Sequence, residues 1–150
     1  MSLPVEADFA LIKLGDGATP TEVFAIACGL QDVNVNRTAN SSDRFVRDCA
    51  KPGEVPTRKV RVNGKQLDIT GSGLIDKTHI DTFEEALGTA KNYKVELYAD
   101  DGTDAGDLIG TFAGPFVMTA ANMAITREGG GTAEVTLANH GPWTWTPAGG

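Results

Sequence analysis

Tyr93-Lys94-Val95-Glu96-Leu97-Tyr98-Ala99 changes character at every step. A period of two puts Tyr93, Val95, Leu97 and Ala99 on one face and Lys94, Glu96 and Tyr98 on the other, the pattern of a half-buried β-strand. The same period recurs on both sides. Phe9 to Leu14 reads as a first strand with Asp16-Gly17 as its turn signal. Glu22 to Cys28 reads as a second, whose unbroken apolar run predicts burial on both faces and makes Cys28 a buried thiol. A third covers residues 32–37, with Val33 and Val35 inward and Asn34 and Asn36 outward. Val60 and Val62 alternate, and Leu67 and Ile69 resume with opposite parity beyond Asn63-Gly64. That pair is either a type I′ hairpin turn or a bulge that resets the register.

Downstream, Phe112, Phe116 and Met118 share a face, while Met123 and Ile125 switch parity, which predicts a bulge within residues 120–122. Gly129-Gly130-Gly131 turns the chain into Ala133, Val135 and Leu137 as an antiparallel hairpin. Trp143 and Trp145 lie on one face of a last short extended segment. One helix is expected over residues 78–88. Thr78 is its N-cap, Asp81, Glu84 and Glu85 complement the positive end of its dipole, and Gly88 stops it. Ile80, Phe83 and Leu87, with Ala86 beside them, form its buried stripe. Between the early strands, residues 38–56 hold no sustained period. A structureless loop of that length is uncommon in a compact domain and is usually functional or disordered. Phe45 inside it either contacts a partner or staples the loop to its own domain. The fold class is therefore mainly β, a β-sandwich or β-barrel with one flanking α-helix and a long early loop.

The chain has 150 residues, 18 of them Gly, and 41% are hydrophobic. That fits one domain spanning 1–150, able to bury a core without metals or disulfides. No apolar run approaches bilayer length. The first residues lack the basic and apolar segments of a signal peptide, so synthesis in the cytoplasm with reduced cysteines is expected. Net charge is −7, but it is divided. Residues 37–65 hold eight Lys/Arg against three Asp/Glu, and residues 76–107 hold three Lys against nine Asp/Glu. The division is either ordinary solvated surface or a pair of complementary patches that favours head-to-tail contacts between copies. The acidic balance argues against nucleic-acid binding.

No catalytic constellation emerges. Gly71-Ser72-Gly73 lacks the glycine spacing of a nucleophile elbow, with Thr70 and Leu74 in the decisive places. Neither His79 nor His140 has a neighbour that marks a general base. The two cysteines, Cys28 and Cys49, do not combine with the histidines into a zinc pattern. Asp100, Asp101, Asp104 and Asp107 crowd a Gly-containing loop, yet Ile109 and Thr111 follow where a calcium loop needs a bidentate Glu. The loop reads as a solvated hairpin tip, and no cofactor or metal is expected. The two tryptophans fit an anchor that closes one end of a barrel, or a subunit contact, better than a sugar platform.

The order of these segments resembles the tail tube (major tail) proteins of long-tailed bacteriophages, from about Val23 to Pro147. Cys28-Gly29-Leu30 with Val33-Asn34-Val35-Asn36 carry the resemblance, as do Pro56-Thr57-Arg58 running to Leu67-Asp68-Ile69-Thr70-Gly71-Ser72-Gly73. So do the helix after Ile75-Asp76, Gly114-Pro115-Phe116 and Trp143-Thr144-Trp145-Thr146-Pro147. No single motif among them is diagnostic. The resemblance implies a fold shared with the type VI secretion tube protein. It implies hexameric rings stacked into a hollow tube around a tape-measure protein, ended by tail terminator and distal tail or baseplate proteins. Genomic DNA would pass through an acidic lumen without specific binding, in a virion tail made in the host bacterial cytoplasm and without a membrane.

It further makes residues 37–57 an inter-ring stacking loop, with Arg37, Arg44, Phe45, Arg47, Arg58, Lys59 and Arg61 as candidate contacts. Asp81, Glu84, Glu85, Asp100, Asp101, Asp104 and Asp107 become candidates for the acidic partner surface or lumen. Gly71, Gly73, Trp143 and Trp145 become candidates for strand approach and closure. Some relatives carry a C-terminal immunoglobulin-like domain, which is not expected here. Two other readings remain: the tube of a contractile secretion or particle system, and a carbohydrate-binding or adhesion β-sandwich.

Overall fold

The computed structural model describes residues 6–17, 21–27 and 29–148. Cys28, expected to be buried, lies outside the described residues. Eight strands and one helix follow in the order β1 (Phe9–Gly15), β2 (Phe24–Ile26), β3 (Leu30–Val46), β4 (Thr57–Leu74), α1 (Lys77–Ala86), β5 (Ala90–Ala99), β6 (Asp107–Thr126), β7 (Gly130–Asn139) and β8 (Thr144–Pro147). All strands join one antiparallel sheet ordered β2-β1-β5-β6-β7-β4-β3. β8 pairs with β6 over Gly110 to Ala113, next to the stretch that β7 pairs, Phe116 to Thr126. β7 and β8 thus act as one interrupted strand along the same edge of β6.

The sheet folds over itself at β6, so that β1 lies against β3 and β4. Ile12 of β1, Leu67 and Ile69 of β4, Tyr93 and Val95 of β5, Phe112, Phe116 and Met118 of β6, and Val135 and Leu137 of β7 fill the space between. Each such side chain contributes roughly 1.5–3 kcal/mol through its removal from water. The close approach requires glycine at two places. A Cβ on Gly71 would lie 2.8 Å from Ile12 Cδ1, and one on Gly73 would overlap the carbonyl oxygen of Gly29. Both glycines singled out in the sequence therefore serve strand approach.

Several expectations change. About half of the early loop is strand, because β3 runs on to Val46 and pairs with β4 out to Thr57, leaving residues 47–56 as a turn. Its polarity hid it: with no core on either side, residues 38–46 show no apolar period. Asn63 is a bulge, since Asn40 pairs with Gly64 and Ser41 with Val62. The later bulge falls at Thr119, just before residues 120–122, and it moves the inward face from Met118 to Ala121 and Met123. β2 has three residues and exposes Ala25 and Ile26, because it is an edge strand rather than a doubly covered one. The helix is capped by Asp76, whose Oδ1 accepts from the Thr78 N–H at 3.0 Å. It ends at Ala86, and Gly88 turns the chain with φ of 77°. Glu84 and Glu85 consequently occupy the last turn, where the dipole is negative. Of the expected stripe only Ala86 is fully buried, while Ile80 and Leu87 are exposed.

Glu96, expected to face water, is buried. Burial would raise its pKa, but the ion pair with Lys13 and the 2.5 Å hydrogen bond donated by Tyr98 Oη outweigh that and hold the carboxyl below its usual range. Tyr98 is pushed up to about 12 by burial and by this carboxylate.

Gly73→Ala should destabilise the fold by at least about 1–3 kcal/mol in urea unfolding, whereas Gly64→Ala, with open space at its Cβ, should be neutral or slightly stabilising. Because the Glu96 pKa is lowered on folding, its stabilisation is present above the ordinary carboxylate pKa and is lost as pH falls through the folded value. The stability gap between wild type and Glu96→Gln should therefore shrink from pH 7 to pH 3. A gap independent of pH would contradict the ion-pair account.

Candidate assembly surfaces

β4 pairs with β7 only from Asp68 to Leu74. Beyond Leu67, whose N–H donates to Asn139 Oδ1 at 2.9 Å, it has β3 as its sole strand partner among the described residues. Residues 38–66 thus form a two-stranded arm that leaves the body of the protein, and the Thr38 to Val46 segment alone extends about 30 Å. Isolated two-stranded ribbons are marginal in water.

The register gives the arm two unlike faces. Ser41, Asp43 and Phe45 lie opposite Val62, Val60 and Arg58; Ser42 and Arg44 lie opposite Arg61 and Lys59. One face is therefore apolar, with Phe45 at 73%, Val60 at 54% and Val62 at 55% exposure. The other is basic, with Arg44 and Lys59 directly opposed. Like charges at opposed positions destabilise a strand pair. Arg58 sits on the apolar face, 3.8 Å from Asp43, with both side chains more than half exposed.

Arg47 and Arg37 differ from the rest. Arg47 Nη1 donates to the carbonyls of Pro52 at 2.6 Å and Glu54 at 3.1 Å, so its fork organises the arm's own turn. Arg37 continues the inward face of Val33 and Val35, and its guanidinium lies 5.5 Å from the ring centroid of Phe112. Trp145 covers Gly110, with its ring centroid 4.6 Å from that of Phe112. Trp143 packs on the core against Gly114. Trp143 is thus partly buried against the core, while Trp145, exposed, lies against Phe112 near Arg37.

The acidic stretch of the sequence divides in space. Asp81, Glu84 and Glu85 are exposed on α1, before β5 begins. Asp100, Asp101 and Asp104 occupy the turn after β5 ends, and Asp107 opens β6 beyond it, about 30 Å away along that ten-residue strand. In that turn Asp101 accepts from Thr103 N at 2.9 Å, and this bond, with that of the Thr103 hydroxyl, lowers its pKa. Asp100 accepts from Gly102 N at 3.0 Å. These carboxylates shape the turn. Among the described residues no group of three or more His, Cys, Asp and Glu is placed to hold a metal.

Sequence reasoning missed a cleft beside α1. The helix is tied at its two ends, where Ile75 N donates to Gly131 O at 3.4 Å and Gly88 N to Met118 O at 2.9 Å. Between these ties it stands off β6 and β7. The cleft is lined by Ile80, Phe83, Leu87, Met123 and Ala133, with Asp76 and Glu84 also in its wall. Met123 is 57% and neighbouring Ile125 80% exposed.

No protein-family description and no curated protein matches this chain. Solved structures do. A chain of the virion of a native gene transfer agent particle is 21% identical, with 91% of this chain and 95% of that one covered and a TM-score of 0.64. A chain from the C6-symmetric tail of the empty particle is 19% identical, with 91% and 94% covered at 0.64. The SPP1 tail tube structure aligns at 12% identity, covering 96% of this chain and 80% of its own, at 0.63. The fold is the tail tube fold. At these identities the likeness speaks for the architecture, and the tail-tube arrangement expected from the order of segments is what the chain adopts.

Arg47→Ala should leave global stability within about 0.5 kcal/mol while speeding amide exchange and proteolysis in residues 48–54, because only the turn loses its bonds. Unchanged exchange there would show that the turn does not depend on Arg47.

Proposed function

We propose that this protein is a structural subunit of a phage-type tail tube and not an enzyme. Six copies form a ring, and rings stack into a hollow tube around a tape-measure protein. Tail terminator and distal tail or baseplate proteins end the tube, and DNA later passes through it. The product resides in the virion tail and is made in the bacterial cytoplasm. The observation that carries this reading is the arm: a ribbon of more than twenty residues with no core of its own, uncovered on both faces. Such a ribbon gains its stability from a neighbour. The tail tube fold supports the same conclusion, as does the C6 symmetry of the gene transfer agent tail.

Two further features fit. Among the described residues, β2 and β3 leave unpaired edges at the two ends of the sheet order, and a closed ring covers edges that would otherwise invite uncontrolled pairing. The basic arm and the acidic remainder of each copy are complementary, which suits head-to-tail contact that repeats along an axis. Net charge of −7 suits a lumen that DNA phosphates do not grip, since phosphate neutralisation is what holds a duplex to protein.

Electron microscopy of concentrated purified protein, with and without the tape-measure and terminator proteins, tests this. Hollow tubes or sixfold rings are expected. Replacing residues 41–63 with Asn-Gly should leave a folded protein that forms no long tubes. A monomer under every one of these conditions would overturn the proposal.

A further inference from the structure

Two uncovered apolar surfaces on this chain have complementary surroundings. One is the arm face of Phe45, Val60 and Val62, which also carries Arg58. The other is the cleft between α1 and the β6–β7 hairpin, where Ile80, Leu87 and Met123 are exposed and Asp76 and Glu84 stand in the wall. We propose that the apolar face of one copy's arm seats in the α1 cleft of a second copy. The inference rests on the tube assembly proposed above and names the surface that receives the arm.

Charge complementarity selects this occupant. The arm region, residues 37–65, carries five positive charges in excess, and the α1 segment, residues 76–85, carries four Asp/Glu against one Lys. Glu84 and Glu85 lie in the last turn of α1, where the helix dipole disfavours anions. Of the two, Glu84 lines the cleft, where a cationic neighbour would offset that cost. The arm has the converse misfit, with Arg44 opposed to Lys59. Seating the arm lets Arg58 leave its loose contact with Asp43 for Glu84 or Asp76. Phe45 would fill the gap left where α1 stands off the sheet, a buried aromatic anchor ringed by polar groups.

The geometry also explains why the cleft is open. The Thr119 bulge turns Met123 and Ile125 to the inward side of β6 beyond the end of the core, and α1, tied at Ile75 and Gly88, is too short to cover them. A flat two-stranded ribbon has the shape to lie along such a trough.

The test uses the full chain with a benzoylphenylalanine photocrosslinker at position 45, assembled as a mixture of isotope-labelled and unlabelled copies. Mixed-isotope crosslinks from position 45 to residues 75–87 or 121–125 are expected. The reciprocal probe at position 123 should capture residues 41–46 or 57–62, and it replaces the first if position 45 does not tolerate the label. Phe45→Ser should raise the concentration needed for assembly about 10-fold or more, with the monomer's circular dichroism unchanged. Tubes that form normally while both probes report only other surfaces, or only their own copy, overturn this docking and leave the tube function standing. Failure of the wild-type protein to form rings or tubes under all the conditions above overturns both.

Discussion

The backbone of β6 is hydrogen-bonded on both edges, and the rest of the molecule depends on that. Its first half pairs with β5 on one side and β8 on the other; its second half pairs with β7. One strand therefore belongs to both halves of the folded sheet and sets their separation. Phe112, Phe116 and Met118 project from it into the space it creates. Gly110 and Gly114 on the same strand make room for the two tryptophans where β7 gives way to β8. The bulge at Thr119 then aims the remaining residues of β6 beneath α1.

β4 is shared in another way. Its second half lies between β3 and β7 and contributes Leu67 and Ile69 to the core; its first half has left the body and pairs with β3 alone. Rigid anchoring of one half directs the other. A disordered loop would cost more entropy to hold against a neighbour than a preformed ribbon does. Continuity of strand from core to arm is thus the structural means by which a small domain presents a reaching surface.

Charge follows the same division of labour. Where side chains meet their needs internally, as in Lys13–Glu96–Tyr98 or Arg47 with its own turn, they stabilise the monomer. Where they do not, as with Arg44 opposed to Lys59 or Glu84 at the wrong end of a dipole, the isolated chain bears a small electrostatic cost. A second copy can relieve it.

Alternation along Tyr93–Ala99, the inward Val33 and Val35, the hairpin at Gly129–Gly131 and the mainly β class are determined by the sequence alone, because burial on one face imprints a period of two. Close approach at Gly71 and Gly73 was legible for a related reason, since glycine in a strand marks a place where a side chain would collide. Of the arm, the β4 half was legible in Val60 and Val62, while the β3 half was not: no core lies against it, so residues 38–46 are mostly polar and look like loop. The helix's true start at Lys77 depended on whether Asp76 or Thr78 reached a free N–H. Only the tertiary structure separated the acids of residues 76–107 into two patches at opposite ends of β5, buried Glu96 behind Lys13 and Tyr98, and left a cleft beside α1. Each of those depends on which distant segments lie side by side, and local sequence carries no record of that distance.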